Sequence, residues 1–217
     1  IRQLARREGV CAAREDIQRK VDDWRYQHRL ERVEDTEAYL AKRGITLQDV
    51  AEDAEVRRLE YLLSEKIAEG QIEPFFAQHT LEFDEAEICW IFHADQGVID
   101  EVDLQIREDG ADFYAMARRF SQDVRTRSGS GFLGRVRRKQ LPKGIAARVF
   151  AASPGEILGP EKVSRGFALY LVQECYPATL NEQIKKEIRK HLFNQWLQRE
   201  MQRADIRYPI WQAEVSK

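Results

Sequence analysis

The feature that most constrains this chain is the punctuated stretch over residues 110–167. Glycines 129, 131 and 134 separate two short helical patterns, and Pro154-Gly155 follows the second of them. Glycine adopts positive φ without steric cost, and a proline-glycine pair is typical of a tight turn. The stretch therefore predicts a short helix, a glycine-rich crossing, a second helix, a turn and a final strand.

The residues around this stretch extend the same pattern into a small domain. Four short apolar runs predict strands, at residues 87–92, 132–136, 160–163 and 167–174. We expect His93 to lie past the end of the first strand. Helices are expected between the strands, at residues 96–107, 113–120 and 142–150, with Asp112 capping the second. Residues 83–178 are thus predicted to form a small mixed sheet, rich in antiparallel pairs, surrounded by helices.

The two ends of the chain have helical periodicity instead. Asp35 is expected to cap a helix over residues 36–42, Thr46 and Asp49 form a capping-box pattern, and residues 72–79 predict a further short helix. Residues 180–201 carry apolar side chains at helical spacing over about six turns. Because such helices must bury their apolar stripes against a partner, we expect the last helix to return to the first ones. The predicted fold class is α+β: a discontinuous all-helical lobe of residues 1–82 and 179–204, and a second domain at 83–178.

Charge is unevenly distributed along the chain. The net charge is only −2, yet residues 118–148 hold ten Arg or Lys and one acidic residue, Asp123. A local basic field raises the concentration of anionic partners near it. The alternative is an ordinary solvated surface, and the pattern leaves both open.

The remaining composition excludes several classes of protein. The three cysteines, Cys11, Cys89 and Cys175, are widely spaced among apolar neighbours, so we expect small buried side chains in a reducing compartment. The four histidines are scattered, and we expect no metal site and no cofactor. No apolar run approaches the ~20 residues that span a bilayer. No signal peptide is seen, although the chain starts at Ile1 and a segment before it can have been removed. We expect a cytoplasmic location.

In residues 110–167 the order of motifs resembles the parvulin family of peptidyl-prolyl isomerases. The resemblance rests on the step Phe120-Ser121-x-Asp123, the glycine crossing and the Pro154-Gly155 turn. The order of the whole chain is similar to the peptide-binding chaperones of the SurA and PrsA type. In those, a C-terminal helix after the parvulin domain completes an N-terminal helical lobe.

The resemblance implies which residues would form a site. Asp123 matches the aspartate that faces two histidines in active parvulins, so the resemblance makes it the candidate catalytic residue, with a loop cap as the alternative. The histidine positions fall near Trp90 and at Ala168. The apolar residues expected to hold a proline-containing substrate are Trp90, Leu141, Ile145, Phe150 and Phe167. Without the histidine pair, the resemblance implies weak or absent isomerase activity together with retained peptide binding.

Three functional hypotheses follow. The first is a parvulin-like isomerase or foldase that acts on unfolded or proline-containing polypeptide. The second is a catalytically degenerate chaperone or maturation factor that binds the same segments. In the third, basic residues favour acidic ligands, the candidates being Arg125, Arg127, Arg135, Arg137, Arg138 and Lys139. We do not expect nucleic acid, because no aromatic residues alternate with these cations to form a stacking surface. A dimer is left open.

Overall fold

The computed structural model describes residues 1–204, which divide into two compact units. One unit contains residues 1–75 and 181–204, and the other contains residues 76–180. The sequence prediction put these boundaries at residues 82/83 and 178/179.

The first unit is helical and is built from both ends of the chain. Its helices are, in chain order, α1 (Arg2–Arg7), α2 (Arg14–Gln27), α3 (Val33–Arg43), α4 (Leu47–Ala68), the start of α5 (Ile72–Phe83), and α10 (Glu182–Arg203). Leu63 on α4 is fully buried, and Ala5, Leu59 and Phe193 complete the core around it. Because Phe193 lies on α10, the C-terminal helix joins the opening helices, as the discontinuous-lobe prediction requires.

Helix boundaries in this unit follow local hydrogen bonding. The capping box is confirmed: Thr46 Oγ1 accepts from the Asp49 N–H at 3.1 Å, and Asp49 Oδ2 accepts from the Thr46 N–H at 2.7 Å. The prediction for Asp35 is wrong, because α3 begins at Val33 with Arg32 at the N-cap position. Asp35 lies instead in the first turn, where a carboxylate interacts favourably with the helix dipole. The helix predicted at residues 72–79 continues to Phe83 across a kink at His79.

The second unit is a four-stranded sheet with helices against it. The strands are β1 (Glu85–His93), β2 (Phe132–Arg137), β3 (Ile157–Val163) and β4 (Gly166–Tyr176), in the spatial order β2-β1-β4-β3. All three pairings are antiparallel. β1 pairs along its whole length with β4, and His93 pairs opposite Phe167. His93 therefore ends the strand, which corrects the expectation that it lies beyond it.

Along the two central strands, β1 and β4, successive side chains alternate between the two faces of the sheet. One face carries Cys89, Ile91, Leu169 and Leu171, which pack with residues of α6 (Gln96–Arg107) and α7 (Phe113–Phe120). The other face carries side chains packed with residues of α9 (Lys143–Val149), among them Ile88, Trp90, Ala168, Tyr170 and Val172. Because successive strand residues point to opposite faces, Trp90 and Ala168 lie on one face of the sheet and Phe167 lies on the other.

The sequence predicted that all three cysteines are buried, and the structure buries them to different extents. Cys89 is buried, Cys175 is half-buried, and Cys11, in the connection before α2, is exposed. Burial, with a smaller contribution from Glu87, raises the pKa of the Cys89 thiol to about 11, so this thiol stays protonated at neutral pH.

The glycine crossing leads from helix α8 (Val124–Arg127) to β2 through one sterically restricted residue, Gly131. Its φ is +82°, its N–H donates to the Thr126 carbonyl at 2.9 Å, and its carbonyl accepts from the Trp90 N–H at 2.9 Å. A Cβ atom at this position would overlap the Trp90 carbonyl oxygen. The crossing can therefore lie this close to β1 only with glycine at residue 131.

Gly131→Ala is expected to destabilise the second unit by about 1–3 kcal/mol, from strained backbone together with displacement of β1. Urea unfolding measures the change in the free energy of unfolding. Gly155→Ala is the matched control, because Gly155 also has positive φ, +87°, but has open space where its Cβ would lie. Equal losses in the two variants would show that close approach to Trp90 has no role.

Candidate functional site

A groove of about 580 Å³ opens on the α9 face of the sheet, within the second unit. Its floor is formed by side chains that are buried or half-buried, and these are Trp90, Phe92, Leu133, Val136, Leu141 and Tyr170. Its rim is formed by exposed polar side chains, namely Gln122, Arg125, Gln140, Ser164 and Arg165. An apolar concavity with a few polar groups is the usual form of a small-ligand or peptide-residue site.

Asp123 lines this groove and organises it through hydrogen bonds. Its Oδ2 accepts from the Trp90 indole N–H at 3.1 Å and from the Thr126 hydroxyl at 2.8 Å. The indole N–H also points at Thr126 Oγ1, at 3.0 Å. Asp123 Oδ1 accepts from the Arg125 backbone N–H at 3.2 Å, so the same carboxylate caps α8. One side chain thus joins β1 to the start of the glycine crossing.

The electrostatics of this contact favour the ionised carboxylate. Burial opposes ionisation of Asp123, whose side chain is 11% exposed. The hydrogen bonds from Thr126, from the Arg125 N–H and from Trp90, with the Arg125 charge 3.6 Å away, outweigh that effect and lower the pKa of Asp123. The carboxylate is therefore an ionised acceptor at neutral pH, with both oxygens engaged.

The structure brings together only part of the predicted apolar set. Trp90 and Leu141 line the groove. Ile145 is buried in the core beneath α9, and Phe150 packs against that core, because both belong to the inward side of α9 and its C-terminal end. Phe167 packs against the opposite face of the sheet, with the α6 and α7 side chains. Ile145, Phe150 and Phe167 are therefore not among the residues that form the groove.

The histidine positions implied by the resemblance are occupied by groups of different chemistry. Trp90 places an indole N–H where it meets Asp123, and Ala168 is completely buried with its Cα opposite Phe92. Among the described residues that line the groove, no side chain is a histidine.

Of the basic candidates, only Arg125 lines the groove, where its side chain is 85% exposed. Arg127 is exposed on the same short helix. Arg137 pairs with Glu85 at 3.3 Å, and Arg135 lies 3.7 Å from Glu87 with its guanidinium over the Tyr176 ring. The other two cations also lie outside the groove: the Arg138 guanidinium stacks on the Phe150 ring, and Lys139 is exposed. Most of the basic run is thus engaged in folding contacts or is solvated.

Three residues of the groove and of the Asp123 hydrogen-bond network were not predicted from the sequence. Thr126 follows Asp123 by three residues, a spacing that places a hydroxyl within reach of a capping carboxylate. Tyr170 follows Ala168 by two residues and so shares its face of β4, which period-two alternation could have indicated. Arg165 comes from the β3–β4 turn, and no local signal marks it as a rim residue.

A larger hollow, of about 740 Å³, lies in the helical unit beside α2 and α4. Its lining is charged, and much of that charge is paired internally, Lys20 with Asp23 and Arg57 with Asp53. Its composition gives less reason to expect an apolar ligand there than in the groove.

Two further properties bear on function. Across residues 1–204, no group of three or more His, Cys, Asp or Glu side chains could hold a metal ion. In that same part of the chain, none of the helices combines the length and apolar character that crossing a bilayer requires.

Comparison with known families gives the class of the second unit. Residues 94–174 match the model of the Rotamase family, the PPIC-type PPIase domain. The match begins directly after β1 and includes Asp123, both sides of the glycine crossing and most of β4. The second unit therefore contains a parvulin-type domain.

Individual relatives extend the likeness to the helical lobe. The chain is 23% identical over 135 residues to the foldase protein PrsA of Caldanaerobacter subterraneus subsp. tengcongensis, a match that covers 62% of this chain and 44% of that protein. The structures of peptidylprolyl isomerase PrsA from Bacillus anthracis and from Bacillus cereus are each 18% identical to it, with TM-scores of 0.55 and 0.56. Both matches cover 91% of this chain, and they cover 91% and 77% of those two chains.

These likenesses establish the fold predicted from sequence, a parvulin-type domain combined with a helical lobe. The chain spans less than half the length of the curated PrsA relative.

Asp123→Ala is expected to lower the free energy of unfolding by about 1–3 kcal/mol, because it leaves the Trp90 and Thr126 donors without their shared acceptor. Asp112→Ala is the control, since Asp112 also caps a helix, accepting from the Ala115 N–H at 2.7 Å. Chemical denaturation at neutral pH compares the two variants.

The loss in free energy of unfolding caused by Asp123→Ala should also depend on pH. A lowered folded-state pKa contributes stability that is present above the unfolded pKa and lost as pH falls through the folded value. The difference between parent and Asp123→Ala should therefore shrink in acid. Losses equal to those of Asp112→Ala at neutral pH would mean that Asp123 is only a helix cap.

Proposed function

We propose that the second unit is a peptidyl-prolyl cis-trans isomerase, or foldase, that acts on proline-containing polypeptide segments. The observation that carries the proposal is the apolar groove lined by Trp90 and Asp123, which are hydrogen-bonded to each other, in a domain of the parvulin class. The substrate would be unfolded or extended chain, since a groove that is open on one side can admit a peptide without enclosing it.

The reaction makes limited chemical demands on such a groove. Rotation about the bond before proline meets a barrier of about 18–20 kcal/mol, because amide resonance is lost in the twisted state. No covalent bond breaks, so no nucleophile or metal is required. Apolar walls formed by Leu133, Leu141 and the Trp90 ring suit the pyrrolidine ring, and their fixed position favours one orientation of it.

The replaced histidines bear on rate more than on binding. Preorganised polar groups contribute to catalysis only where they contact the transition state. The apolar surface that would hold the proline ring does not depend on histidine. We therefore expect slower turnover than a complete network would give, with peptide affinity retained.

The second candidate function is a chaperone or maturation factor that binds the same segments without turnover. It is favoured by the occupation of the histidine positions by Trp90 and Ala168. The two functions are distinguished by measuring exchange and binding on one peptide, Ala-Ala-Pro-Phe with blocked ends, by NMR exchange spectroscopy and calorimetry. Isomerase function predicts accelerated cis-trans exchange, whereas background exchange with measurable binding would leave only the binding function.

The groove rim also suggests a preference for an acidic residue before proline. Arg125 and Arg165 both line the groove, and the second comes from the β3–β4 turn. Arg125 is partly compensated by Asp123, 3.6 Å away. We expect Glu-Pro peptides to bind about two- to fivefold more tightly than Ala-Pro peptides at low salt, the scale of exposed ion pairs.

The double variant Arg125→Ala, Arg165→Ala should remove this preference, and added salt should weaken it in the parent. Arg127→Ala is the matched control, because Arg127 lies on the same helix as Arg125 but does not line the groove. Calorimetric Kd values for the two peptides provide the measurement. A preference that survives in the double variant would exclude these two arginines as its source.

A further inference from the structure

Tyr170 is a buried polar residue that the proposed function does not yet use. It lies on the groove face of β4, opposite Trp90, with the two ring centroids 6.2 Å apart. The residue is only 2% exposed, yet it lines the groove. Within residues 1–204 the Tyr170 hydroxyl has no hydrogen-bond partner. Its oxygen nevertheless keeps some contact with solvent. A hydroxyl in this condition is available to a group that enters the groove.

The other polar groups of the groove floor and of the adjoining Asp123 network are already engaged. The Trp90 N–H is shared between Asp123 and Thr126, and the Thr126 hydroxyl donates to Asp123. Both carboxylate oxygens of Asp123 accept hydrogen bonds. The remaining polar side chains lie on the exposed rim, where water competes for them. Among the described residues of the floor, Tyr170 is therefore the donor that remains free for a ligand.

A twisted imide presents a specific acceptor for such a donor. In the planar state the prolyl nitrogen lone pair is delocalised into the carbonyl, so the nitrogen accepts hydrogen bonds poorly. At the midpoint of rotation the lone pair is localised on nitrogen, which becomes a good acceptor. A donor aimed at that nitrogen would bind the transition state more strongly than the ground state, which is the condition for catalysis.

We propose that the Tyr170 hydroxyl is the catalytic hydrogen-bond donor of this groove, and that it donates to the prolyl nitrogen of the twisted bond. The inference rests on the proposed isomerase function and assigns it a residue. The proton stays on Tyr170 throughout, and no bond is made or broken. Burial raises the pKa of Tyr170, so the phenol keeps its proton at neutral pH.

The test is Tyr170→Phe, which removes one oxygen atom and keeps the ring. We expect kcat for exchange of the Ala-Pro peptide to fall at least tenfold, while KM and the calorimetric Kd stay within twofold of the parent. Thermal stability should be unchanged or slightly higher, because a hydroxyl without a partner contributes nothing to folding. Tyr176→Phe is the matched control: it lies on the same strand, but its hydroxyl donates to Glu174 at 3.1 Å. This control should leave kcat unchanged.

The outcomes separate the inference from the function on which it rests. An active parent with Tyr170→Phe turnover within twofold of it would overturn the donor role and leave the isomerase proposal standing. A loss that appears only in KM and Kd would also overturn it, since the hydroxyl would then contact the planar peptide equally well. A parent that binds the peptide without accelerating exchange would overturn the isomerase proposal itself, and the donor role with it.

Discussion

The groove depends on one ionised carboxylate, that of Asp123, which accepts hydrogen bonds from three donors in two parts of the chain, β1 and α8. It holds the Trp90 indole from β1, the Thr126 hydroxyl and the Arg125 backbone N–H. These contacts place the start of the glycine crossing beside β1, where Gly131 completes the approach through its bond to the Trp90 N–H. A side chain with fewer acceptor sites could not make all of these contacts, because each carboxylate oxygen is used.

The same arrangement limits what Asp123 would contribute to the proposed catalysis. A carboxylate whose two oxygens are both engaged is better suited to positioning its neighbours than to contacting a substrate. Trp90 supplies an apolar wall while its indole N–H is bonded within the network, and Ala168 is completely buried in the core. The groove is thus largely apolar, with a phenol where a hydrogen bond can be made. In the proposed function, the apolar surface would hold the peptide and the Tyr170 hydroxyl would be the donor to the twisted bond.

Much of the fold could be predicted from local chemistry, and much of the site could not. Capping by Asp112 and by Thr46 with Asp49, the helix over Gln96–Arg107 and the return of α10 follow from periodicity and hydrogen-bonding side chains. Asp123 and Trp90 were placed together through a family resemblance. Phe167 was misplaced because the resemblance gave its position along β4 but not its face, which strand alternation decides. The face that Tyr170 occupies follows from strand alternation, but its position beside Trp90 depends on the pairing of β4 with the distant strand β1, and no local signal marks Arg165 as a rim residue.

Binding of proline-containing peptide in the groove beside Asp123 can be measured by NMR titration of the ¹⁵N-labelled chain. We expect saturable shifts of the Trp90 indole N–H and of backbone amides in residues 122–126, 133–141 and 163–170, with the α2 and α4 amides unchanged. Shifts confined to residues around the hollow beside α2 and α4, or an unmoved Trp90 indole at peptide saturation, would contradict it.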